Sequence, residues 1–542
     1  MDIFMKFTEV KMIEKLYTNG TIITMEDRLY AKAILVNDGS IKKVYYEEDT
    51  LPSKEEGIEV IDLQGNTMLP SFIDSHSHFS GYANSMLQVN LTEAVSFNDI
   101  AHSITEFINR NHVSPGKWVV CNGYDHNNLK EKIHPTLSLL DEAAPKNPIL
   151  LQHQSSHMGV LNSLGLKELN ITPNTKAPEG GVIGVEDGKL TGYLEENAFV
   201  DYLKKVPFAS KEDLIQALKE GQNRYASYGI TTAQEGFVVE ELAGILEYLM
   251  ESKTLSIDLI GYLDIKHREP LLKRLQNCIK KYNNHIKIGG YKTFLDGSAQ
   301  GRTAWMLTPY KGTPDYQGYP ILKDEELEQL IEIALKDNMQ LLIHCNGDAA
   351  TNQYITQYDN ATKKVKKLNT INDIRPVMIH AQLLRRDQLD AVKRLSMIPS
   401  FFVAHVYYWG DTHIENFGYE RASQISLANS ALQKGILFTF HQDAPVIEPN
   451  MLETIWCAVN RITKKGVLLG EDERISPLEA LKAITIHGAY QYFEEDIKGS
   501  VKEGKYADLV ILSQNPLTVP PEKLKEIQVL ETIKEGKTIY HR

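Results

Sequence analysis

The chain has 542 residues, 42% of them hydrophobic and 24% charged, which are ordinary proportions for a globular protein. Its formal net charge of −13 argues against a nucleic-acid surface, and no apolar run approaches the roughly 18 residues of a membrane span. The four cysteines are far apart, and residues 1–9 carry acids where a signal peptide needs a continuous apolar stretch. We therefore expect a cytoplasmic protein with no disulfide framework and no nucleic-acid or membrane partner.

Short β-strands separated by tight turns are predicted at both ends of the chain. Residues 31–36 and 41–46 flank Asn37-Asp38-Gly39-Ser40, a sequence typical of a β-hairpin turn. Near the C-terminus, further strands are predicted at residues 506–512, 529–533 and 538–540. Because chain ends often lie close together in a folded domain, we predict that residues 1–67 and 495–542 form one small β-sandwich.

The middle of the chain alternates predicted strands with amphipathic helices, which is the pattern of a parallel α/β sheet. Eight strands are predicted, and eight is the number that closes a (β/α)8 TIM barrel. They cover residues 68–79, 228–235, 256–263, 286–293, 340–344, 375–380, 396–401 and 436–442. We therefore predict an α/β fold in which residues 68–494 form a TIM barrel.

The first two of these strands are separated by a stretch that is far too long for a single crossover connection. It contains two further predicted strands, at residues 118–123 and 148–152. Residues 173–192 are rich in glycine, proline and asparagine, and we interpret them as a loop. We predict that residues 79–227 form an inserted subdomain that lies over the mouth of the barrel.

His76 and His78 stand at the end of the first predicted barrel strand, with one residue between them. Side chains alternate between the two faces of a strand, so both imidazoles would project to the same side and can hold one metal ion. The motif alone is weak, because 17 histidines in 542 residues produce about half an occurrence by chance. The alternative interpretation is two polar residues at the start of a loop.

Metal-ligating residue types recur at later strand ends, which is where the active site of such a barrel lies. Each has a structural alternative: a lone histidine is more often simply hydrogen-bonded, Lys292 can pair with Asp296, and Asp443 can cap a turn. Their presence together on the ends of five strands favours a metal centre over those alternatives. With His76 and His78, the set comprises Lys292, His344, His380 and Asp443.

This ordered set resembles the metal centre of the amidohydrolase superfamily of metal-dependent hydrolases. The long insertion, Lys-Thr-Phe-Leu-Asp-Gly-Ser at 292–298 and His-Cys-Asn-Gly-Asp-Ala-Ala at 344–350 are similar to its amidohydrolase-3, YtcJ-like branch. That branch includes an N-substituted formamide deformylase. The resemblance extends over nearly the whole chain. It departs before the aspartate, where relatives usually have Gly-Ser and this chain has His441-Gln442.

The resemblance implies a centre of two divalent metal ions, usually zinc. The more buried ion would be held by His76, His78 and Asp443, and the outer ion by His344 and His380. Lys292 would bridge both as a CO2-derived carbamate, which is consistent with a desolvated lysine being pushed toward its neutral form. The implied reaction is hydrolysis of a non-peptide C–N bond of a small-molecule substrate by a metal-bridging hydroxide. Asp443 would serve as general base and then general acid, and the family-like expectation is a homodimer.

Four residues are candidates for substrate binding, and each has a structural alternative. His157, in the insertion, can instead cap a helix or support a loop. Asp296 and Arg302 follow Lys292 closely and can instead pair with each other. His441 lies beside Asp443 and can narrow the site, contact substrate or pack behind the ligands.

Other functions compete with C–N hydrolysis. A lactonase- or esterase-type hydrolase, or a deaminase, can use the same six ligands, because a fold does not specify the chemistry of its site. A metal-free, non-enzymatic homologue would lack ligands, and none of the six positions is lost in this sequence.

Overall fold

The computed structural model describes residues 14–52, 57–154, 157–207, 211–366 and 372–542. The chain divides into two compact units. One comprises the residues up to Ser80 together with Gln222–Arg542, and the other comprises Gly81–Gly221. Within the described residues, no helix combines the length and the apolar composition needed to cross a membrane.

The N-terminal part of the first unit consists of short strands. They are β1 (Glu14–Thr18), β2 (Thr21–Ile23), β3 (Tyr30–Ala31), β4 (Ala33–Asn37), β5 (Ser40–Tyr45), β6 (Ile58–Asp62), β7 (Thr67–Pro70) and β8 (Phe72–Ile73). The predicted hairpin is confirmed, because Asn37 pairs with Ser40 across a two-residue turn. Asp38 (φ 48°) and Gly39 (φ 75°) both adopt the left-handed conformation that this turn requires.

The unit Gly81–Gly221 contains a mixed sheet with the strand order β13-β14-β12-β11-β10-β9, in which β9, β10 and β11 are parallel. The elements of this region are α1 (Phe79–Ser85), β9 (Val89–Asn90), α2 (Phe97–Arg110), β10 (Val119–Tyr124), α3 (Leu137–Ala143), β11 (Ile149–His153), β12 (Met158–Leu161), α4 (Ser163–Glu168), β13 (Gly181–Glu186), β14 (Lys189–Glu196), α5 (Asn197–Leu203) and α6 (Lys211–Ser227). The prediction of a loop over residues 173–192 was wrong. Most of that stretch is a hairpin, because Asp187 (φ 49°) and Gly188 (φ 73°) form a tight turn between β13 and β14.

The remainder of the chain builds the parallel sheet and its flanking helices. The strands are β15 (Ile230–Val238), β16 (Asp258–Asp264), β17 (Ile286–Phe294), β18 (Gln340–Cys345), β19 (Val377–His380), β20 (Ile398–Phe401), β21 (Thr439–Phe440), β22 (Leu509–Leu512), β23 (Val529–Lys534) and β24 (Lys537–His541). The α-helices are α7 (Glu240–Ser252), α8 (Arg268–Arg274), α9 (Asp324–Lys336), α10 (Asp348–Lys366), α11 (Leu389–Arg394), α12 (His405–Phe417), α13 (Tyr419–Ala422), α14 (Ala428–Gln433), α15 (Met451–Asn460), α16 (Pro477–Ala483) and α17 (Ile486–Gln491). Short 3₁₀ helices cover Ile265–His267, Gln276–Cys278, Arg386–Gln388, Glu471–Glu473 and Pro521–Glu526.

The predicted α/β pattern is confirmed. In the described part of the chain, eight strands form one sheet in the order β8-β15-β16-β17-β18-β19-β20-β21, and every pairing in it is parallel. Each of the eight strands predicted from the sequence overlaps one of these strands. Beyond the strand ends, Asp443 N donates to His76 O (3.1 Å) and His78 N donates to Ala444 O (2.8 Å). These bonds bring the segments after the first and last strands together.

The predicted first strand is divided between two sheets. Its first part, β7, pairs with β2 and β22 and ends at Pro70. The chain then enters the parallel sheet at Phe72, whose N–H donates to Gly229 O (2.8 Å). His76 and His78 therefore follow the strand, and the expectation that they lie on it was wrong. Both side chains approach Asp443 Oδ1, and backbone hydrogen bonds join their segment to residues 443–444.

Both chain ends contribute to the terminal sheets. One sheet has the order β5-β4-β1-β6, and the other has the order β24-β23-β22-β7-β2-β3. A single hydrophobic cluster takes Tyr17, Ile34 and Val44 from the first sheet and Met68 and Ile511 from the second. Because β7 pairs with β22, the N-terminal and C-terminal segments share one sheet.

A buried cluster of alternating charges connects the parallel sheet to the terminal strands. It comprises Lys287, Lys498 and Lys534 with Asp258, Glu494 and Asp508. Asp258, at the start of β16, accepts from Lys498 Nζ (2.6 Å) and lies 3.0 Å from Lys534 Nζ, at the end of β23. Three ammonium groups thus face three carboxylates, and their charges balance without solvent.

Replacing Asp258 with asparagine is expected to lower the free energy of unfolding by about 3–5 kcal/mol, because it leaves buried ammonium groups uncompensated. Burial raises the pKa of Asp258, but Lys498 and Lys534 outweigh that effect and hold it well below its usual range. The ionised Asp258 contributes fully to the stability of the fold above the ordinary aspartate pKa of about 4. That contribution is lost as the pH falls toward the lowered pKa of Asp258.

Urea unfolding of wild type and variant across this pH range tests the prediction. The stability difference should be largest at neutral pH and should shrink below about pH 4. Asp390→Asn is the matched control, because the Asp390 side chain is 79% exposed and its loss should change stability by no more than about 0.5 kcal/mol. Equal stability of Asp258→Asn and wild type at neutral pH would contradict the role given to the cluster.

Candidate metal centre

The six residues predicted as ligands all lie at or just beyond the carboxyl ends of strands in the parallel sheet. His76 and His78 follow β8, Lys292 lies in the last part of β17, His344 lies near the end of β18, His380 ends β19, and Asp443 follows β21. Carboxyl ends of parallel strands meet at one edge of a sheet, so this placement brings the side chains toward a common point.

Asp443 lies at the centre of the group. Its Oδ1 is 3.6 Å from His76 Nε2 and 3.5 Å from His78 Nε2, and its Oδ2 is 3.8 Å from His380 Nε2. Lys292 Nζ lies 3.1 Å from His76 Nε2. Ligand atoms at about 2.0–2.2 Å from a tetrahedral zinc ion are about 3.3–3.6 Å from one another. The observed spacings of Asp443 Oδ1 to the two nearer imidazoles match that geometry.

The residues fit a divalent cation by a second criterion. Among the described residues, Asp443 Oδ1 and His344 Nδ1 are buried atoms without a hydrogen-bond partner. Buried polar atoms are nearly always hydrogen-bonded, so atoms left unpaired in a polar site call for another partner. The His344 ring lies 4.7 Å from the ring of His380, so His344 adjoins the group through that residue.

His76 is held in one orientation by Gln234, in β15. Gln234 Nε2 donates to Ser75 O (2.9 Å), so the amide oxygen is turned toward His76 Nδ1, 2.5 Å away. Nδ1 therefore carries the proton, and the Nε2 lone pair faces Lys292 and Asp443. Gln234 was not predicted to belong to the site. The available signal was a pair of polar residues, Gln234 and Glu235, at the end of the predicted strand 228–235.

His441 holds His380 in the same way. His441 Nε2 lies 3.1 Å from His380 Nδ1, and His441 Nδ1 lies 2.8 Å from Ser400 Oγ. A proton on His380 Nδ1 would be donated to His441 and would leave the His380 Nε2 lone pair directed at the Asp443 side of the site. His441 is fully buried, so it occupies a supporting position behind His380.

Replacing His441 with phenylalanine is expected to weaken metal binding by about 10–100-fold, because His380 loses the acceptor that orients it. Titration of metal-depleted protein with zinc measures this change directly. His413→Phe is the matched control, since His413 is also a buried histidine near this face but bonds Gln382 instead of a predicted ligand. Unchanged zinc affinity in His441→Phe would contradict the supporting role.

Burial sets the protonation of the imidazoles. It lowers the pKa of His76 and of His380 well below the usual range. Neighbouring imidazoles add to the effect at both residues, and Lys292 adds to it at His76. Burial also lowers the pKa of His78 to about 4. These imidazoles are therefore neutral at neutral pH, which is the form that binds a metal ion.

Lys292 and Asp443 form a buried pair whose charged forms are both disfavoured. Burial lowers the pKa of Lys292, and the nearby Asp443 opposes that shift. Burial likewise raises the pKa of Asp443, and Lys292 opposes it. Two of the candidate ligands are also strained, because His380 (φ 70°) and Asp443 (φ 53°) adopt the left-handed conformation that non-glycine residues rarely take.

Two buried carboxyl groups near the histidines were not identified from the sequence. Asp74 precedes His76, and Glu235 forms a β-bridge with His78. Glu235 Oε2 accepts from Ser80 N (2.8 Å), while Oε1 has no hydrogen-bond partner among the described residues. Burial raises the pKa of both carboxyl groups to about 7.

Asp296 and Arg302, predicted to bind substrate, do not pair with each other. The buried Asp296 carboxylate accepts backbone N–H groups of Trp305 (3.0 Å), Asn346 (3.0 Å) and Gly347 (2.7 Å). Its Oδ1 also lies 3.3 Å from His344 Nδ1. Arg302 Nε donates to Asn416 Oδ1 (2.7 Å). Asp296 thus fixes the loops around His344, and Arg302 is bonded to α12.

His157, the third predicted substrate contact, belongs to the unit Gly81–Gly221. Its side chain is 63% exposed, and its Nδ1 lies 3.1 Å from Glu196 Oε2. Its backbone carbonyl accepts from Glu196 N (2.7 Å), so it is bonded to the end of β14.

The clustering of these side chains at the strand ends agrees with the family that the chain matches. A model described as the amidohydrolase family matches residues 59–540. The chain belongs to the amidohydrolase family. The enzyme class predicted from the sequence, a metal-dependent hydrolase, is thereby confirmed.

Individual amidohydrolase relatives match over nearly their whole lengths. YtcJ of Bacillus subtilis (strain 168), which is named as an amidohydrolase, is 28% identical over 98% of this chain and 100% of YtcJ. N-substituted formamide deformylase of Arthrobacter pascens is 25% identical over 98% of this chain and 99% of the deformylase. The crystal structure of an uncharacterized metal-dependent hydrolase from Pyrococcus horikoshii OT3 has a TM-score of 0.73 and 25% identity, and covers 98% of this chain and 100% of that one.

Proposed function

We propose that this amidohydrolase cleaves a non-peptide, amide-like C–N bond of a small-molecule substrate at a centre of two divalent metal ions, with zinc as the expected metal. The observation that carries the proposal is the convergence of His76, His78 and Asp443, whose ligand atoms all lie within 4.8 Å of one another. Lys292, His344 and His380 lie around them at the same edge of the sheet.

Each of the predicted ligands has a place in the proposed centre. His76, His78 and Asp443 would hold one ion, and His344 and His380 would hold the other. Two such ions lower the pKa of water toward neutrality and polarise a carbonyl oxygen. The protein's own contribution is to present neutral imidazoles, which burial ensures, and to orient them through Gln234 and His441.

Lys292 would supply a bridging carboxylate. Its side chain is fully buried, and burial favours the neutral amine. A neutral amine can add to CO2 and release one proton, which yields a carbamate with two oxygen atoms and one negative charge. That anion would convert a buried neutral amine into an oxygen ligand suited to two cations.

Asp443 would move the proton that C–N cleavage requires. Its carboxylate would accept a proton from the attacking water and then donate it to the leaving nitrogen, so that the product departs as a neutral amine. Burial raises the pKa of Asp443, which favours a group that both takes up and returns a proton near neutral pH. An amine is a poor leaving group unless it is protonated, so this arrangement favours an amide-like substrate.

The proposal includes an architecture for the enzyme. The parallel sheet would close as a TIM barrel through the contacts between the segments that follow β8 and β21. The two terminal sheets, which share a hydrophobic cluster, would form the sandwich of residues 1–67 and 495–542. Residues 79–227 would be the inserted subdomain of the barrel at 68–494, and the enzyme would act as a homodimer.

A substrate panel tests the proposed reaction. Zinc-loaded protein is assayed with N-substituted formamides, N-acyl amino acids, lactones and organophosphates, with ammonia release from adenosine as the deaminase assay. Amide-type substrates should give the largest kcat/KM, and a chelator should abolish turnover until zinc is restored. Faster hydrolysis of lactones or organophosphates than of every amide would overturn the choice of bond while keeping the metal centre.

A further inference from the structure

A second group of metal-ligating side chains lies in the unit Gly81–Gly221, at the ends of two neighbouring parallel strands. β10 ends at Tyr124, and Asp125 and His126 follow it directly. The neighbouring strand β11 ends at His153, which pairs with Tyr124 in the sheet register. Carboxyl ends of adjacent parallel strands are common ligand sites, because side chains that follow them converge at one edge.

The ligand atoms of this group have the spacing of a metal site. His126 Nδ1 and His153 Nε2 face each other at 3.2 Å. Asp125 Oδ1 lies 3.4 Å from His153 Nε2 and 3.8 Å from His126 Nδ1. Ligand atoms around a tetrahedral zinc ion are about 3.3–3.6 Å apart, so the three atoms form nearly the triangle that one ion requires.

The neighbouring residues orient these side chains. Asp125 Oδ1 accepts the backbone N–H (2.9 Å) and the side-chain amide (3.0 Å) of Asn127, which fixes the carboxylate. The ring of His134 packs 4.1 Å from the ring of His126, and its Nδ1 lies 3.0 Å from Tyr124 Oη. Both His126 and Asp125 are about a quarter exposed, at 27% and 24%, so water can complete the coordination.

A second cluster of two carboxylates and a histidine is less suited to a cation, because lysines already neutralise one of its carboxylates. Asp258, His285 and Glu535 also lie close together, but the Asp258 carboxylate is already neutralised by Lys498 and Lys534. Among the residues that the structure describes, no lysine or arginine lies within salt-bridge distance of Asp125. Its ionic neighbours are the two histidines. The Asp125 group therefore offers a negative charge and two imidazoles to a cation.

We propose that Asp125, His126 and His153 bind one divalent cation of the zinc class, in addition to the metal ions at the end of the parallel sheet. Two imidazole nitrogens and one carboxylate oxygen are a donor set that suits Zn²⁺. The ion would cross-link the ends of β10 and β11 and stabilise this edge of the sheet. The inference does not depend on the reaction proposed for the enzyme.

Anomalous diffraction from wild-type crystals grown with zinc tests the site without any substitution. Data collected on both sides of the zinc absorption edge should show a peak between His126 Nδ1 and His153 Nε2. A map with zinc at the Asp443 centre and none at this position would overturn the proposal.

Metal content provides the second measurement. Full-length protein is dialysed against a buffer that keeps free zinc low, and the bound zinc is counted for wild type, His126→Ala and His153→Ala. Each variant should hold one ion per chain fewer than wild type. His102→Ala is the control, because His102 is 76% exposed on α2 of the same unit and should not change the count. Equal zinc content in wild type and in folded His126→Ala would also refute the site.

Discussion

Replacing Asp443 with asparagine is expected to lower kcat by about 10²–10⁴-fold, the range that a positioned general acid–base contributes. Asparagine has nearly the same size and keeps an oxygen that can face the metal position. It cannot accept a proton from water or return one to the leaving nitrogen. The loss should therefore appear mainly in kcat, and zinc content should be measured in parallel to separate proton transfer from metal loss.

Asp390→Asn is the matched control for this substitution. It makes the same chemical change at a side chain that is 79% exposed and pairs with Lys434, so its kcat should equal that of wild type. If Asp443→Asn keeps its zinc and retains more than about a tenth of wild-type kcat, proton transfer through this carboxylate is excluded.

Replacing Lys292 with alanine is expected to remove metal and turnover together. The bridging carboxylate would be lost, so the two ions would be held only by the remaining histidines and Asp443. Loss of a residue that only supports a metal ligand lowers activity by up to roughly 10²-fold, and the decrease in kcat of Lys292→Ala should be larger than that. Elemental analysis of the purified variant and of wild type, each loaded with zinc under identical conditions, measures the metal content.

Lys287→Ala distinguishes loss of a ligand from loss of a buried lysine. Lys287 lies on the same strand, β17, and is also buried, but it pairs with Glu494 at the opposite end of the strand. That variant should be less stable and yet keep its full zinc content. Added short carboxylic acids should restore part of the activity of Lys292→Ala, because they can occupy the space of the carbamate. Full zinc content in Lys292→Ala would contradict the bridge and leave Lys292 with a structural role.

Local patterns were sufficient to predict much of the fold. Alternating strand and helix patterns located each strand of the parallel sheet, because an apolar run that ends in polar residues is visible without knowing its partners. The hairpin at Asn37–Ser40 was predictable for a related reason, since its turn residues tolerate positive φ. The hairpin at β13–β14 was missed because abundant glycine and proline around Asp187-Gly188 hid the same signal.

The convergence of the candidate ligands was predictable because they lie at or just beyond the ends of strands, and strand ends meet at one edge of a parallel sheet. The roles of Gln234 and Ser400 were not predicted, and for His441 packing behind the ligands was one of three alternatives. These roles depend on neighbours that are distant in sequence. His441 and Ser400 are 41 residues apart, and Gln234 and His76 are 158 residues apart. No local pattern carries information about such a hydrogen bond.

By itself, the sequence determined the class of fold, the strand ends that carry the candidate ligands and the resemblance to metal-dependent hydrolases, because each depends on local spacing. Only the tertiary structure decided which atoms face one another. It divided the first predicted strand at Pro70, turned the imidazoles toward Asp443 and placed His153 beside Asp125 and His126. The physical reason is that orientation, burial and charge balance arise from contacts between segments that are far apart along the chain.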